Sequence, residues 1–291
     1  MARELEVVSR RARLARTGLF AYAGLIYAFL FVPIALLVLF SFNANRYGTF
    51  PITGWTLKWY QEAFSDYQIQ DAVKTTLKVA LQVTALSTIV GTAAAFPLVR
   101  SRLRFRDGLR VLFVLPIMIP GLLIGVNLLV LFTSVLHVPL STETAVIGQS
   151  IFTTPFVVLL VAARLEGFDV ALERAASDLG ANSLARLRYV VLPLLLPAIV
   201  AGALVAFTLS VDEFVITYFL IGDHNTLPIY IFTQIKFGIT PEVNAVASLL
   251  LAASLTILAL AFTVPQLVRV ARAGTRQRGA HTSLVTNGRS T

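Results

Sequence analysis

Cysteine is absent from the 291 residues. No disulfide, thiolate metal site or cysteine nucleophile is therefore available. Histidine is scarce too. His137, His224 and His281 stand far apart, none at metal-ligand spacing, and each reads as a loop or tail residue. Charge is the third deficit: charged residues make up 13% of the chain, against about 25% in soluble domains. Hydrophobic residues reach 57%, with a mean hydropathy of +0.79. The apolar residues gather in several long runs, which is the pattern of a polytopic membrane protein. The phosphate-binding pattern G-x-x-x-x-G-K-[ST] and the metalloprotease pattern HExxH are both missing. Whatever energy the protein uses must then come from a partner chain or an ion gradient. No internal repeat is visible.

Six apolar runs are present. Residues 1–17 form a basic arm, and the first run, 18–42, follows. It has about 25 residues and no clean cleavage site, so it is expected to be a retained span and not a signal peptide. Residues 43–71 form the longest external loop, in which Trp55, Trp59, Tyr60, Phe64 and Tyr67 recur and Thr56 is placed to cap a short helix. Such aromatics suit a lipid-facing anchor more than a ligand contact. The second run, 72–99, is rich in small residues (Ser87, Gly91, Ala93 to Ala95) that let helices approach closely in lipid. The third, 111–134, carries Pro116, Pro120, Gly121 and Gly125 and is expected to be kinked. The fourth, 144–163, contains Pro155. The fifth, 190–221, is too long for one upright span, so it must tilt, bend or leave the lipid. The sixth covers 244–267, with Glu242 as a cap at its base and a basic tail, 268–291, expected to be disordered.

The net charge of +9 follows this topology. One face collects Arg3, Arg10, Arg11, Arg13 and Arg16; Arg100, Arg102, Arg104, Arg106 and Arg110; Arg164, Arg174, Arg186 and Arg188; and the tail arginines. The other face keeps Arg46, Lys58, Lys74, Lys78 and Lys236. Positive residues stay in the cytoplasm, so both termini are expected there. Nucleic-acid binding is not needed to explain the charge.

The stretch 167–193 lies between the fourth and fifth runs. Leu172, Ala175, Ala176 and Leu179 fall at i, i+3, i+4 and i+7, one face of a short helix. Asp169 is placed to cap its start and Gly180 to end it; Asn182 or Ser183 can start a second, basic helix. A short amphipathic helix with small alanines at a membrane surface makes a docking knob.

These residues resemble the cytoplasmic coupling loop of permease subunits in binding-protein-dependent ABC importers. The family's E-A-A triplet, Gly and Leu-Pro fall here on Arg174-Ala175-Ala176, Gly180 and Leu192-Pro193, with Glu173 one residue before the usual glutamate position. The resemblance assigns ATPase coupling to loop 165–189, through Leu172, Glu173, Arg174, Ala175, Ala176, Asp178, Leu179, Gly180, Ala181, Leu192 and Pro193.

Asp212 and Glu213 lie within the fifth run, where carboxylates are costly unless they meet water or a partner. On a straight helix Asp212 sits about 28 Å beyond Pro193, at about 1.5 Å per residue. Thr208 and Asp212, and Ser210, Glu213 and Thr217, would form two adjacent polar strips. Two readings stand. Either the pair lines a path for a cationic solute, with Phe214 and Tyr218 adding cation–π contact, or it is a structural pair bridged to a Lys or Arg of a neighbouring helix.

GFDV at 167–170, FTLSVDEFVITYFLIG at 207–222 and LPIYIFTQIKFGITPEVNA at 227–245 look like the second permease subunit of spermidine/putrescine importers, as do SFNANRYG at 41–48 and TLKWY at 56–60. The resemblance implies an all-α inner-membrane protein of six transmembrane helices with the type I importer permease fold, the core being 72–267. It also implies a second permease subunit, two ATPase subunits that bind ATP and magnesium, an extracytoplasmic solute-binding protein and a bacterial plasma membrane. No cofactor is expected in this chain. A permease for another small solute (an opine or amino-acid-like molecule) and a secondary transporter remain the rivals. An intramembrane enzyme would lack a nucleophile–base pair, and a plain anchor would leave Asp212 and Glu213 unexplained.

Overall fold

The computed structural model describes residues 2–45, 50–100, 106–237, 241–256 and 259. Arg46, Arg102, Arg104, the end of the sixth apolar run and the basic tail lie outside the described residues. The described helices are α1 (Ala2–Ser41), α2 (Lys58–Ser65), α3 (Tyr67–Arg100), α4 (Arg106–Met118), α5 (Gly121–Val130), α6 (Thr142–Glu166), α7 (Val170–Asp178), α8 (Ser183–Arg186), α9 (Leu192–Val211), α10 (Val215–Leu220), α11 (Leu227–Phe237) and α12 (Pro241–Thr256). The chain divides into two compact units: Met1–Asp66 with Thr233–Leu251, and Tyr67–Phe232 with Ala252–Thr291.

Among the described residues four helical segments are long and apolar enough to cross a membrane: Arg16–Ser41, Tyr67–Arg100, Thr142–Glu166 and Ser183–Val211. A bent pair of helices would make a fifth if it is counted as one span. Asp107–Met118 and Gly121–Val135 meet at 100°, where Pro120 withholds a backbone donor and ends the first segment. The expected kink is thus a sharp break. The sixth run is represented by the shorter apolar helix α12. α1 runs without a break from Ala2 through the basic arm into the first apolar run.

In the first unit the loop after α1 folds back on that helix's end. Thr56 Oγ1 accepts the Lys58 N–H at 3.1 Å, but the cap position of α2 is Leu57, one residue later, which supplies no side-chain bond. Trp59 corrects the lipid-anchor expectation: it is buried, and its indole N–H donates to the Asn43 carbonyl at 2.7 Å. Tyr60 shares a 2.6 Å hydrogen bond with the Ser41 hydroxyl. Trp55, Phe64 and Tyr67 remain exposed.

In the second unit α3 packs on α6 and α9. The contact centres on Val157 of α6, which faces two glycines. A Cβ on Gly91 would stand 2.7 Å from the Val157 Cβ, and one on Gly202 would stand 3.1 Å from its Cγ1. Close backbone approach through small residues is how helices gain dispersion contacts where lipid removes the hydrophobic drive. Ala95, Val161, Leu165, Val191, Leu195 and Ala206 complete this core. A second cluster, with Ile124, Phe132, Ala145, Ile216 and Leu220, seats α10 against α5 and α6.

Candidate functional site

The crossover from α6 to α9 forms the first site. Asp169 Oδ1 accepts the Ala171 N–H at 2.8 Å and starts α7. Gly180, at φ +86°, stops it. The Ala181 N–H reaches back to the Ala176 carbonyl at 3.0 Å and the Gly180 N–H to Ser177 O at 2.9 Å, the paired bonds of a left-handed helix end. Asn182 Oδ1 then accepts the Ala185 N–H at 2.8 Å and opens α8. A widened turn, Leu187–Val191, joins α8 to α9 just before Pro193, which lacks an N–H to donate.

No residue of α7 is fully buried. Its outward side shows Leu172, Arg174, Ala175, Asp178 and Leu179, with Leu179 89% exposed. The inward side is half-buried and carries Glu173, Ala176 and Ser177. The apolar face expected from spacing therefore points away from the bundle, apart from Ala176. Beside it, Leu184 and Tyr189 are exposed as well. On the inward side Glu173 forms an ion pair with Arg100 of α3. The Arg100 guanidinium also lies over the Phe168 ring, 5.2 Å from its centroid. Arg186 donates to Ser177 Oγ at 2.8 Å and to Ser183 Oγ at 3.2 Å, which locks α8 beneath α7.

The second site is the break between α9 and α10: of the outcomes expected for the long fifth run, it bends, so the straight helix on which the two polar strips were drawn does not continue past Val211. α9 ends at Val211, and Asp212, Glu213 and Phe214 are not helical. Glu213 turns its carboxylate onto α10. Oε1 accepts the Ile216 N–H and Oε2 the Thr217 N–H, both at 2.8 Å; the Thr217 hydroxyl adds a bond of 2.5 Å. A carboxylate at a helix start satisfies donors that have no partner within the helix.

Ser210 and Thr217 do not join Glu213 in a strip facing a path. Both are buried and meet Gln149 of α6. Gln149 Nε2 donates to Thr217 Oγ1 at 2.6 Å, and Ser210 Oγ donates to Gln149 Oε1. Thr153, one turn on, donates to the Gln149 carbonyl at 3.0 Å and shares a 2.6 Å bond with Ser87 of α3. A buried polar chain thus crosses α3, α6, α9 and α10. Thr208 is spent on the Leu204 carbonyl at 2.9 Å.

Asp212 is exposed, with only a long 3.4 Å contact from Ser254 Oγ. Among the described residues neither Asp212 nor Glu213 has a Lys or Arg partner. Near the break, Phe214, Tyr218 and Phe232 form an aromatic group with centroids 4.6 to 6.1 Å apart.

Reading the sequence missed Gln149, Arg100 and Phe168. Gln149 had a signal: an amide four residues before Thr153 inside an apolar run. Arg100 was read only as one of a basic group.

A family model of binding-protein-dependent transport system inner membrane components matches residues 87–277. The chain is 37% identical over 244 residues to the spermidine/putrescine transport system permease protein PotC of Escherichia coli (strain K12), covering 84% of this chain and 90% of that one. It is 36% identical over 234 residues to the putrescine transport system permease protein PotI of the same strain, covering 78% and 83%. Its backbone resembles a chain in the crystal structure of a bacterial ABC transporter involved in the import of the acidic polysaccharide alginate, with a TM-score of 0.64 at 17% identity, covering 87% and 96%.

Proposed function

The chain belongs to the family of binding-protein-dependent transport system inner membrane components, an ABC importer permease subunit and not an enzyme, and we propose that it forms half of a translocation pore for a polyamine such as spermidine or putrescine. The observation that carries the cargo reading is the helix break. Glu213 is consumed as a cap, and Asp212 stays exposed at the same break whose far side carries the Phe214–Tyr218–Phe232 group. An exposed carboxylate and aromatic rings at one helix break are the groups that suit an organic cation. The names of the 36–37% identical relatives point to the same solute class.

The other half of the pore is a second permease subunit. α7 is the helix that docks on an ATPase subunit, which holds ATP and magnesium, and a solute-binding protein delivers cargo from outside. The exposed Leu172, Ala175 and Leu179 support this docking, because an apolar face turned from the bundle needs a cover. The chain crosses the membrane six times with termini and α7 in the cytoplasm, in keeping with the arginine distribution. The experiment is binding of radiolabelled spermidine, putrescine and an opine to the cognate solute-binding protein, followed by uptake through the complete importer. Polyamine binding and uptake are expected; binding of the opine alone would replace the cargo.

A further inference from the structure

α7 is joined covalently to the bundle at both ends. Gly167 to Asp169 lead in from α6, and α8 with its widened turn leads out to α9. A third attachment is not covalent. The half-buried face of α7 carries Glu173, Ala176 and Ser177 at i, i+3 and i+4. From that face Glu173 reaches Arg100, the last residue of α3, with side chains 15% and 31% exposed. Glu173 Oε1 meets the guanidinium as an ion pair and has no aligned hydrogen bond. The same guanidinium lies over the Phe168 ring, and Phe168 packs against the Ala95–Val157–Leu195 core. Arg100 is therefore held by α7 on one side and by the loop preceding α7 on the other.

Fully exposed ion pairs are worth little because water screens them and two long side chains must be ordered. This pair is mostly withdrawn from water, and one member is further fixed by stacking. Guanidinium offers both a fork for the carboxylate and a plane for the ring, which an ammonium does not. The partner helix matters as well. α3 packs along both α6 and α9, and Ser87 on it joins the polar chain that ends at the helix break.

We propose that the Arg100–Glu173 pair is a strut that passes displacement of α7 directly to α3, in parallel with the covalent route through α8 to α9. This rests on the reading of α7 as the ATPase-docking helix. Glu173 is thus a positioning residue: it faces inward and holds the helix, while Arg174, on the outward side, is left for the partner.

The test uses the complete importer in proteoliposomes. The cysteine-free chain allows spin labels at Ile89→Cys on α3 and Leu122→Cys on α5, both exposed positions. The distance between them is read without nucleotide and with ATP plus vanadate. With the native pair, nucleotide shifts the distance. Arg100→Gln should still co-purify the ATPase subunit and let it hydrolyse ATP, and in it, as in Glu173→Gln, the shift should be roughly halved or smaller, within the range by which network residues modulate coupling. Exchanging the charges, Glu173→Arg with Arg100→Glu, should restore most of it, which a misfolded variant would not do. The proposal is overturned if the single variants shift as the native complex does, if the exchange is no better than either single variant, or if the native complex shows no shift with its ATPase bound. Failure of the native chain to hold an ATPase subunit would instead remove the docking reading on which the strut rests.

Discussion

Gln149 and Thr217 are 68 positions apart, yet the Gln149 amide donates to Thr217 Oγ1 at 2.6 Å inside the bundle. Through that bond and its partner from Ser210, one side chain of α6 fixes both sides of the break between α9 and α10. Gln149→Leu leaves the buried Ser210 hydroxyl without its acceptor, while Thr217 keeps its bond to Glu213. A loss of about 1–3 kcal/mol per unsatisfied group is expected, seen as a lower melting temperature of the purified protein. Gln149→Glu should do no better, since it buries a carboxylate with no cation beside it and loses the bond to Thr217. Equal melting temperatures for native and Leu variants would show that the network contributes nothing.

The two adjacent carboxylates should separate in their effects. Asp212→Asn should leave the melting temperature unchanged and raise the half-saturating polyamine concentration about tenfold, the size of a lost charged contact. Glu213→Gln should lower the melting temperature, because α10 loses its carboxylate cap. Uptake kinetics and thermal unfolding of both variants check this; the reverse assignment of effects would contradict it.

Gly91 faces Val157 too closely for any side chain. Gly91→Leu should cost at least about 1–3 kcal/mol through overpacking. Val157→Ala in the same chain should recover little of that loss, because alanine keeps the Cβ that stands 2.7 Å from the new side chain. Thermal unfolding of the single and double variants gives the answer.

Gly180 has open space around it but a positive φ. Gly180→Val meets no neighbour and still strains the backbone, by about 1–2 kcal/mol for a residue in the left-handed region. Insertion and total fold should survive while the corner after α7 shifts. ATP hydrolysis without matching uptake is expected, measured as ATP consumed per solute imported; native stoichiometry would mean that the corner geometry is irrelevant to coupling.

What could be read from the chain itself was local. Asp169, Gly180 and Asn182 each act within a few residues, so their caps and stops were visible as spacing, and so was the break near Pro120. The division of labour between Asp212 and Glu213 was not visible. It depends on Gln149 in another helix and on α9 stopping at Val211, which nothing in the apolar pattern around it announces. Likewise Trp59 had the aromatic character of an interface anchor, and only the return of its loop to Asn43 buried it. The face of α7 was legible as a helical stripe, but its direction was not. An amphipathic helix pointing outward has the same spacing as one pointing in.

The most direct measurement uses Leu179, 89% exposed at the end of α7. Leu179→Cys supplies the only thiol in the chain. In membranes carrying the complete importer, a short thiol–amine cross-linker should join it to the ATPase subunit, and a membrane-impermeant reagent added outside should not label it. Labelling from outside, or the absence of any adduct with a nucleotide-hydrolysing subunit, would contradict the assignment of α7 as the point where the motor engages the pore.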